Sequence, residues 1–449
     1  MPQTNHHTLT IDKVVTGGHG LGRLPSGLVV MVPFVLPGER VVVRLGKGHK
    51  GFAEASLLEL LDPSPQRIAP PCPRFQACGG CHLQHGDYPL QLTIKEAILR
   101  DLLARQGQWS GEEIASFHEP LLPSPTPWHY RQRIRLQIDD RGRLGFFATR
   151  SHEVIEITSC PLAKEELNQV LAELRPLPAF RTLSCHAVAV ELLLNPVAGQ
   201  VVVIVHLSRK PRAADQRAAA AVAAAIGLVQ AVWLAGDGFA MDGPHGVGGK
   251  EGQGGDRIAF ALPAELGGRQ LLLGLQAGGF CQVNLAQNEG LVRQLLAWAQ
   301  VGPNDAVLDL FCGMGNFSLP LALAARRVVG TDLQRSSIRC AQANALANQL
   351  ANCRFLRTEA VAACRELRQA NERFDLILLD PPRSGCREII PLLADLGAKK
   401  LIYISCDPAT LVRDLRQLQE QGFRVAKVRG VDMFPQTAHL ETIALLTRA

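Results

Sequence analysis

The 449-residue sequence lacks the long hydrophobic runs that a membrane-spanning helix requires, because its apolar stretches are short and broken by charge. The first residues, MPQTNHHTLT, also lack the basic and apolar regions of a signal peptide. These absences predict a soluble, cytoplasmic protein without a membrane partner. The 47% hydrophobic content supports buried cores, and the length predicts about three domains of roughly 150 residues each.

A strong excess of charge is missing as well. The formal net charge is +6, which permits an anionic partner such as nucleic acid without requiring one. The sequence does contain 12 cysteines. Cytosolic thiols stay reduced, so these cysteines do not indicate a disulfide framework, and we expect some of them to bind metal or to take part in catalysis.

Residues 1–60 alternate short β-rich runs with glycine turns, a pattern that predicts a small β-barrel. The run from Gly17 to Gly22 has the composition of a phosphate-binding loop. Extended segments flank it on both sides, however, and no helix follows. A turn between two strands is therefore the favoured interpretation.

The central part of the chain predicts mixed secondary structure. An amphipathic helix is expected around Leu90 to Gln106, an alanine-rich helix near residues 213–225, and hairpin turns or a long loop over the glycine-rich residues 236–255. The run from Arg131 to Ile138 alternates polar and apolar side chains, so one strand face presents three arginines. That face is suited to phosphate contacts or to simple solvation, and the sequence leaves both open.

From about residue 290 onward, strands and helices alternate with the rhythm of a doubly wound parallel sheet. The buried strand from Ala306 to Phe311 leads into a glycine-rich turn and a helix, a junction that lets a cofactor approach the backbone. The glycines do not fit the dinucleotide pattern G-x-G-x-x-G. Acidic residues end the next strands, at Asp332, Glu359 and Asp380, where open α/β sheets bind ligands.

Cys406 follows the apolar strand Leu401–Ser405, just before a helix predicted to begin near Thr410. A thiol near a helix N-terminus gains thiolate character, which suits a nucleophile. A buried structural cysteine fits the same position. Position alone therefore favours the structural interpretation.

Four segments change that balance: DLFCGMGNFSL, LLDPPRSG, YISCDPATLVRDL and VDMFPQTAHLET. In order and spacing they closely resemble the motifs of the RNA 5-methyluridine methyltransferase family. The resemblance implies an α/β class I (Rossmann-like) methyltransferase domain that uses S-adenosyl-L-methionine. It also implies that Cys406 attacks C6 of uracil, which activates C5 toward the methyl group, and that Glu441 removes the C5 proton as general base.

By the same resemblance, six residues are expected to line the cofactor pocket: Gln282, Phe311, Asn316, Asp332, Glu359 and Asp380. The family varies at the position of Glu359. Asp380 followed by Pro-Pro-Arg differs from the Asn-Pro-Pro-aromatic signature of amino-methylating enzymes, which argues against a base-amine target. The target uridine is expected to flip out of its stack, and Phe280 is a candidate for stacking on displaced bases.

Cys72, Cys78 and Cys81 lie within ten residues, and Cys160 offers a fourth thiol. Zinc and iron-sulfur chemistry both accept four thiolates, although one distant ligand departs from the paired short spacings of structural zinc. The family resemblance implies a 4Fe-4S cluster on these four cysteines. Its expected role is to tie the N-terminal helix to the central β-domain.

With its first segment resembling a TRAM domain, a small RNA-binding barrel, the resemblance covers nearly the whole chain. It implies three domains: a TRAM/OB-like barrel over 1–60, a central α+β iron-sulfur domain over 61–280 and the catalytic domain over 281–449. This combination is most similar to the branch that modifies 23S ribosomal RNA. RNA is thus the expected partner, and no protein partner is inferred.

Three alternatives remain at this stage. The transfer RNA branch of the family typically lacks the barrel and the cluster. A DNA cytosine methyltransferase shares the covalent chemistry, but its nucleophile follows a proline, whereas Cys406 follows Ser405. A non-catalytic RNA-binding metal protein would keep the barrel and have no use for Cys406 together with Glu441.

Overall fold

The computed structural model describes residues 6–246 and 257–448. Its N-terminal strands are β1 (His6–Val14), β2 (His19–Arg23), β3 (Val29–Pro33), β4 (Arg40–His49) and β5 (Phe52–Asp62). They form a closed barrel around aliphatic side chains, in the order β1-β2-β3-β5-β4. Gly17 and Gly18 lie between β1 and β2 at φ values of 89° and 81°. The predicted turn is therefore confirmed, since such φ values favour glycine.

The middle of the chain combines helices with a second sheet. Its elements are α1 (Tyr88–Arg105), α2 (Gly111–Phe117), β6 (His118–Leu122), β7 (Arg133–Ile138), β8 (Leu144–Phe147), β9 (Val154–Glu156), α3 (Glu165–Leu174), α4 (Pro178–Ser184), β10 (Ala187–Asn195), β11 (Gln200–Leu207), α5 (Ala213–Ala225), β12 (Val229–Ala235) and β13 (Asp242–His245). Among the described residues, the sheet runs in the order β13-β12-β11-β10-β7-β8-β9. The predicted amphipathic and alanine-rich helices correspond to α1 and α5.

The predicted face of three arginines is not present as one surface. Arg133 is paired with the buried carboxylate of Glu191 and donates to the carbonyl of Gly279 at 2.7 Å. Arg131 lies before β7, with its guanidinium 5.9 Å from the centre of the Tyr130 ring. Of the three, Arg135 is the exposed one. Contacts formed in the folded protein thus give the three arginines different surroundings, although strand alternation alone would place them on one face.

Part of the glycine-rich stretch 236–255 lies in β13, which pairs antiparallel with β12. That pairing agrees with the expected hairpin turn. Residues 247–256 lie outside the described part of the chain, and the prediction for them falls outside it as well. Across residues 6–246 and 257–448, the structure contains no helix with both the length and the apolar character needed to cross a membrane.

The C-terminal part forms a doubly wound sheet. Its elements are β14 (Arg257–Leu262), β15 (Leu271–Gln276), α6 (Leu285–Ala299), β16 (Ala306–Leu310), α7 (Ser318–Ala322), β17 (Arg327–Asp332), α8 (Arg335–Ala347), β18 (Cys353–Arg357), α9 (Ala360–Gln369), β19 (Leu376–Leu379), α10 (Ile390–Leu393), β20 (Lys400–Ser405), α11 (Pro408–Glu420), β21 (Arg424–Val431) and β22 (Glu441–Thr447). β14 and β15 pair as a hairpin, and the main sheet runs β18-β17-β16-β19-β20-β22-β21-β6 among the residues that the structure covers. The predicted fold class is confirmed.

Two features of this sheet position the site. β18, β17, β16, β19 and β20 are parallel, and the chain reverses its winding direction between β16 and β19. Such a switch point opens a crevice at the carboxyl ends of the strands. The outer strand β6 comes from the middle of the chain and pairs parallel with β21. The division into domains at residues 60 and 280 stays a prediction.

Candidate active site

Four predicted site residues lie at one edge of the catalytic sheet. Phe311, Asp380 and Cys406 directly follow β16, β19 and β20, and Asp332 ends β17. These strands are parallel, so their carboxyl ends meet at the same edge, beside the switch point. Glu359 follows β18 at the outer end of the same row and is exposed, at the N-terminal end of α9.

Cys406 and Glu441 lie opposite each other on neighbouring strands. β20 and β22 pair antiparallel with Ser405 facing Thr442, so the next position along each strand places Cys406 level with Glu441. Glu441 is only 4% exposed. Burial, aided by the charge of Asp380, raises the pKa of Glu441 to about 8, while Arg383 opposes the shift. The carboxyl group is therefore poised to exchange a proton near neutral pH.

The half-buried thiol of Cys406 is hydrogen-bonded by the guanidinium group of Arg383. Burial and the neighbouring charge of Glu441 raise the pKa of Cys406, and Arg383 lowers it by less. The expected shift toward thiolate from the start of α11 is therefore wrong in direction. Burial is the largest cause of the shift. At the start of α11, the carboxylate of Asp407 already accepts from the N–H of Thr410 at 2.9 Å.

The loop that carries Arg383 is fastened to the helix after Cys406. The buried carboxylate of Asp414, on α11, accepts from the Tyr403 hydroxyl at 2.7 Å and from the backbone N–H of Cys386 at 3.0 Å. Arg413 donates to the carbonyl of Ser384 at 2.9 Å. Arg383 was not among the expected site residues, although its place after the aspartate of Asp-Pro-Pro-Arg was the available signal.

The turn after β16 brings further acids together. Asp332 accepts the backbone N–H groups of Gly313 at 3.0 Å and Gln334 at 2.7 Å. Asp309, within β16, is fully buried, and burial raises its pKa to about 8 against a hydrogen bond from Ser318. Its Oδ1 atom has no hydrogen-bond partner in the described part of the chain. Asp309 was not among the expected site residues, although it opens the segment DLFCGMGNFSL, which was the available signal.

Gln282 and Asn316 each lie near the first turn of α6. Gln282 lies just before this helix, and its carbonyl accepts from the Gln132 side chain at 3.1 Å. Asn316 exchanges two hydrogen bonds of 2.9 Å with Asn288 of α6. The amide of Asn316 is thus already paired within the protein. Nearby, the Phe280 side chain is 68% exposed.

The four cysteines of the predicted cluster border one cavity of about 100 Å³, which Arg131 also lines. Burial and the neighbouring thiols raise the pKa of Cys81 to about 12. Burial also raises the pKa of Cys78 and Cys160. In residues 6–246 and 257–448, no group of three or more histidine, cysteine, aspartate or glutamate side chains is arranged to hold a metal ion.

This cavity joins the cysteine loop to the central sheet. Cys78 and Ala148, which follows β8, form an isolated antiparallel β-bridge between their backbones. The N–H of Gly79 donates to the carbonyl of Phe147 at 2.9 Å. Cys160 follows β9, and its N–H donates to the Asn168 side chain at 2.8 Å. The loop before α1 and the β8-β9 edge thus meet across the thiols.

The doubly wound sheet, with its glycine-rich turn after β16 and acids at the strand ends, defines a class I methyltransferase. The family model described as tRNA (Uracil-5-)-methyltransferase matches residues 254–449, and the TRAM domain model matches residues 7–58. Curated relatives extend the match to nearly the whole chain. The chain belongs to the RNA uracil-C5 methyltransferase family.

Two relatives and one solved structure illustrate the match. The 23S rRNA (uracil(1939)-C(5))-methyltransferase RlmD of Pectobacterium atrosepticum is 35% identical over 98% of this chain and 93% of its own length. The enzyme of that name from Alkalilimnicola ehrlichii is 37% identical over 92% and 90%. The Pyrococcus abyssi tRNA (uracil-54, C5)-methyltransferase, solved with S-adenosyl-L-homocysteine, superimposes with a TM-score of 0.73 at 22% identity, covering 98% of this chain and 99% of that one.

These findings confirm the predicted family, the TRAM-like barrel and the class of enzyme, an S-adenosylmethionine-dependent RNA uracil-C5 methyltransferase. The structural likeness, at 22% identity, supports the fold. The alternatives of a DNA methyltransferase and of a non-catalytic RNA-binding protein are thereby removed.

Proposed function

We propose that the enzyme methylates C5 of a uridine in 23S ribosomal RNA, with Cys406 as nucleophile and Glu441 as general base. The observation that carries this proposal is their placement at the paired ends of β20 and β22. Both lie next to the crevice at the switch point, where a ligand of the sheet binds. One uracil ring in that crevice then has C6 and C5 within reach of the two side chains.

The reaction begins with the Cys406 thiolate. The sulfur forms a bond to C6, and the electron pair of the C5–C6 double bond moves toward C4 and its oxygen as an enolate. The hydrogen bond from Arg383 stabilises the thiolate against the burial that disfavours it. When bound, S-adenosylmethionine would supply the methyl group that C5 accepts, with S-adenosylhomocysteine as the leaving group.

Glu441 completes the reaction. Its carboxylate takes the C5 proton, the electrons of the C5–H bond re-form the C5–C6 double bond, and Cys406 leaves C6 as thiolate. Burial makes Glu441 a stronger base than an exposed carboxylate, because it raises the pKa of Glu441 to about 8. The same burial keeps water away from the adduct.

We further propose that the cofactor is held by the six residues expected from the sequence, Gln282, Phe311, Asn316, Asp332, Glu359 and Asp380, together with Asp309. Their grouping along the strand ends and at the start of α6 supports this. Asp332 is fixed by two backbone N–H groups, which orients its carboxylate toward the turn. Asp309 offers a buried oxygen without a partner in the described residues.

The cysteine cavity fits a 4Fe-4S cluster. A single zinc ion with Zn–S bonds of about 2.3 Å brings its four sulfurs into near contact and leaves no space between them. Four thiols around about 100 Å³ suit a larger polynuclear group. Cys72, Cys78, Cys81 and Cys160 would be its ligands, and the cluster would supply cations that make burial of four thiolates favourable.

The proposed RNA rests on the curated relatives, whose names assign them to 23S rRNA at 35% and 37% identity. A transfer RNA substrate is the second candidate, because the solved neighbour acts on tRNA. An rRNA substrate also implies a cytoplasmic location. Mass mapping of 5-methyluridine in RNA from a strain lacking this protein decides between them. We expect loss from 23S rRNA, restored by the wild type; loss from tRNA alone would contradict the proposal.

A further inference from the structure

The segment that leads to Glu441 is held by a buried ion pair from another part of the chain. Asp432, at the end of β21, and Lys95, in α1, are both 0% exposed, with Nζ and Oδ1 2.5 Å apart. Lys95 also donates to the carbonyl of Phe434 at 3.0 Å, and the Tyr88 hydroxyl donates to Asp432 at 2.9 Å. One face of α1 thus fixes the start of the connection between β21 and β22.

The next residues of this connection are held in the same way. The Tyr130 hydroxyl donates to the carbonyl of Pro435 at 3.0 Å. Gln91, one turn before Lys95, donates to the Gln436 side chain at 2.9 Å and accepts the Gln436 backbone N–H at 3.0 Å. The connection is therefore bound by side chains from outside the catalytic sheet as far as Ala438, whose N–H donates to His82 at 3.4 Å and which lies three residues before Glu441.

A buried ion pair of this kind is weak evidence for a role in stability. Removing two charges from water costs nearly as much as their attraction returns, and apolar replacements of both partners are often neutral. Such a pair instead favours one backbone path for the connection between β21 and β22. Lys95 keeps its buried acceptors, the Asp432 carboxylate and the Phe434 carbonyl, only if the connection takes its present path. The geometry that depends on this path is that of Glu441.

We propose that Lys95 is a positioning residue for methyl transfer: through Asp432 it fixes the connection that places Glu441 at the C5 proton. The inference rests on the proposed role of Glu441. Attack by Cys406 and transfer of the methyl group precede the step that uses Glu441. Loss of the ion pair therefore slows proton removal and leaves the methylated RNA bound covalently to Cys406.

The test compares Lys95→Met and the double variant Lys95→Met/Asp432→Asn with the wild type. The double variant removes both charges, so no unpaired charge stays buried, and it keeps the test valid if Lys95→Met fails to fold. Lys427→Met is the matched control, because it removes a partly exposed ion pair with Glu119 from the same strand β21. Glu441→Gln, assayed in parallel, reports on the base itself.

In the double variant we expect kcat to fall about 10- to 100-fold, as misplacement of a catalytic group by about 1 Å does, with the KM for S-adenosylmethionine within about twofold. A denaturation-resistant protein–RNA adduct should accumulate, as in Glu441→Gln, and Lys427→Met should match the wild type. Wild-type kcat in the double variant, or a lower kcat without adduct, would overturn the inference. Full turnover by Glu441→Gln would instead overturn the proposed base, and this inference with it.

Discussion

Cys406 and three of the cysteines around the central cavity, Cys78, Cys81 and Cys160, share one property and differ in another. Burial raises the pKa of Cys406 just as it raises that of Cys78 and Cys81. The difference lies in their neighbours. An arginine lies at both sites, but Cys406 faces the carboxyl group of Glu441, whereas the cavity thiols face one another. Thiol acidity alone therefore does not separate a nucleophile from a ligand; the surrounding groups do.

Removing the thiol of Cys406 should have the strongest effect on turnover. Cys406→Ala should lower turnover by more than about 10⁴-fold, because no other group can form the bond to C6, while RNA binding survives. Cys364→Ala, in the buried core of α9, is the control and should retain turnover. Methyl transfer measured with radiolabelled donor checks both. Methylation by Cys406→Ala would show that Cys406 is not the nucleophile.

Removing one cavity thiol should affect the metal rather than the chemistry. Anaerobically purified wild type should show a visible absorbance band and bound iron, and Cys81→Ala should lose both. Because binding energy at a structural metal site is folding energy, we expect the unfolding midpoint to drop by about 5 °C or more. Cys185→Ala, at an exposed cysteine, should change neither. Bound zinc in the wild type would contradict a 4Fe-4S cluster.

The pH dependence of kcat reports on the carboxyl group of Glu441, which faces Cys406. Glu441 is a base only when deprotonated, and burial raises the pKa of Glu441 to about 8, so roughly one tenth of it is active at pH 7. The rate should rise about tenfold as pH passes from 7 to above 8, and ionisation of Cys406 acts in the same direction. With an ordinary carboxyl group at position 441, only the ionisation of Cys406 would make the rate rise over this range. Decay of the methylated covalent adduct on one RNA, followed from pH 6 to 9, isolates the step that uses Glu441: it should accelerate with pH, and a flat profile would contradict a raised pKa of Glu441.

Substituting the two arginines, one at each thiol site, should change kcat least. Arg383→Met should lower kcat about threefold to tenfold at pH 7, since a charge-assisted hydrogen bond contributes about 1 kcal/mol or more, and less at pH 9, where the thiolate forms without it. Arg131→Met, at the cavity, should leave the pH profile unchanged. An identical change in both variants would mean that Arg383 acts only through stability.

The strand-and-helix rhythm predicted the doubly wound sheet, amphipathic periodicity predicted α1 and alanine content predicted α5, because local patterns suffice for those elements. Long-range pairing was not visible. Nothing in residues 118–122 indicates that β6 completes the catalytic sheet, and strand alternation placed Arg133 on an open face although Glu191 pairs with it. Such partners are distant in sequence and leave no local pattern.

The candidate site, too, could be predicted from the sequence only in part. The motifs located Cys406, Glu441 and the strand-end acids, since each lies at a fixed place in a local element. The direction of the pKa shift at Cys406 depended on burial and on Glu441, both products of the fold. The contact between Lys95 and Asp432 joins residues 337 positions apart. It could be found only in three dimensions.

Covalent attack by Cys406 can be detected on RNA in which the target uridine carries fluorine at C5. After addition and methyl transfer no proton remains at C5, so Glu441 has nothing to remove and the adduct persists. Digestion and mass analysis should find the methylated RNA fragment attached to the peptide that contains Cys406. Attachment to any other cysteine, or no attachment under conditions where normal RNA is methylated, would contradict the account.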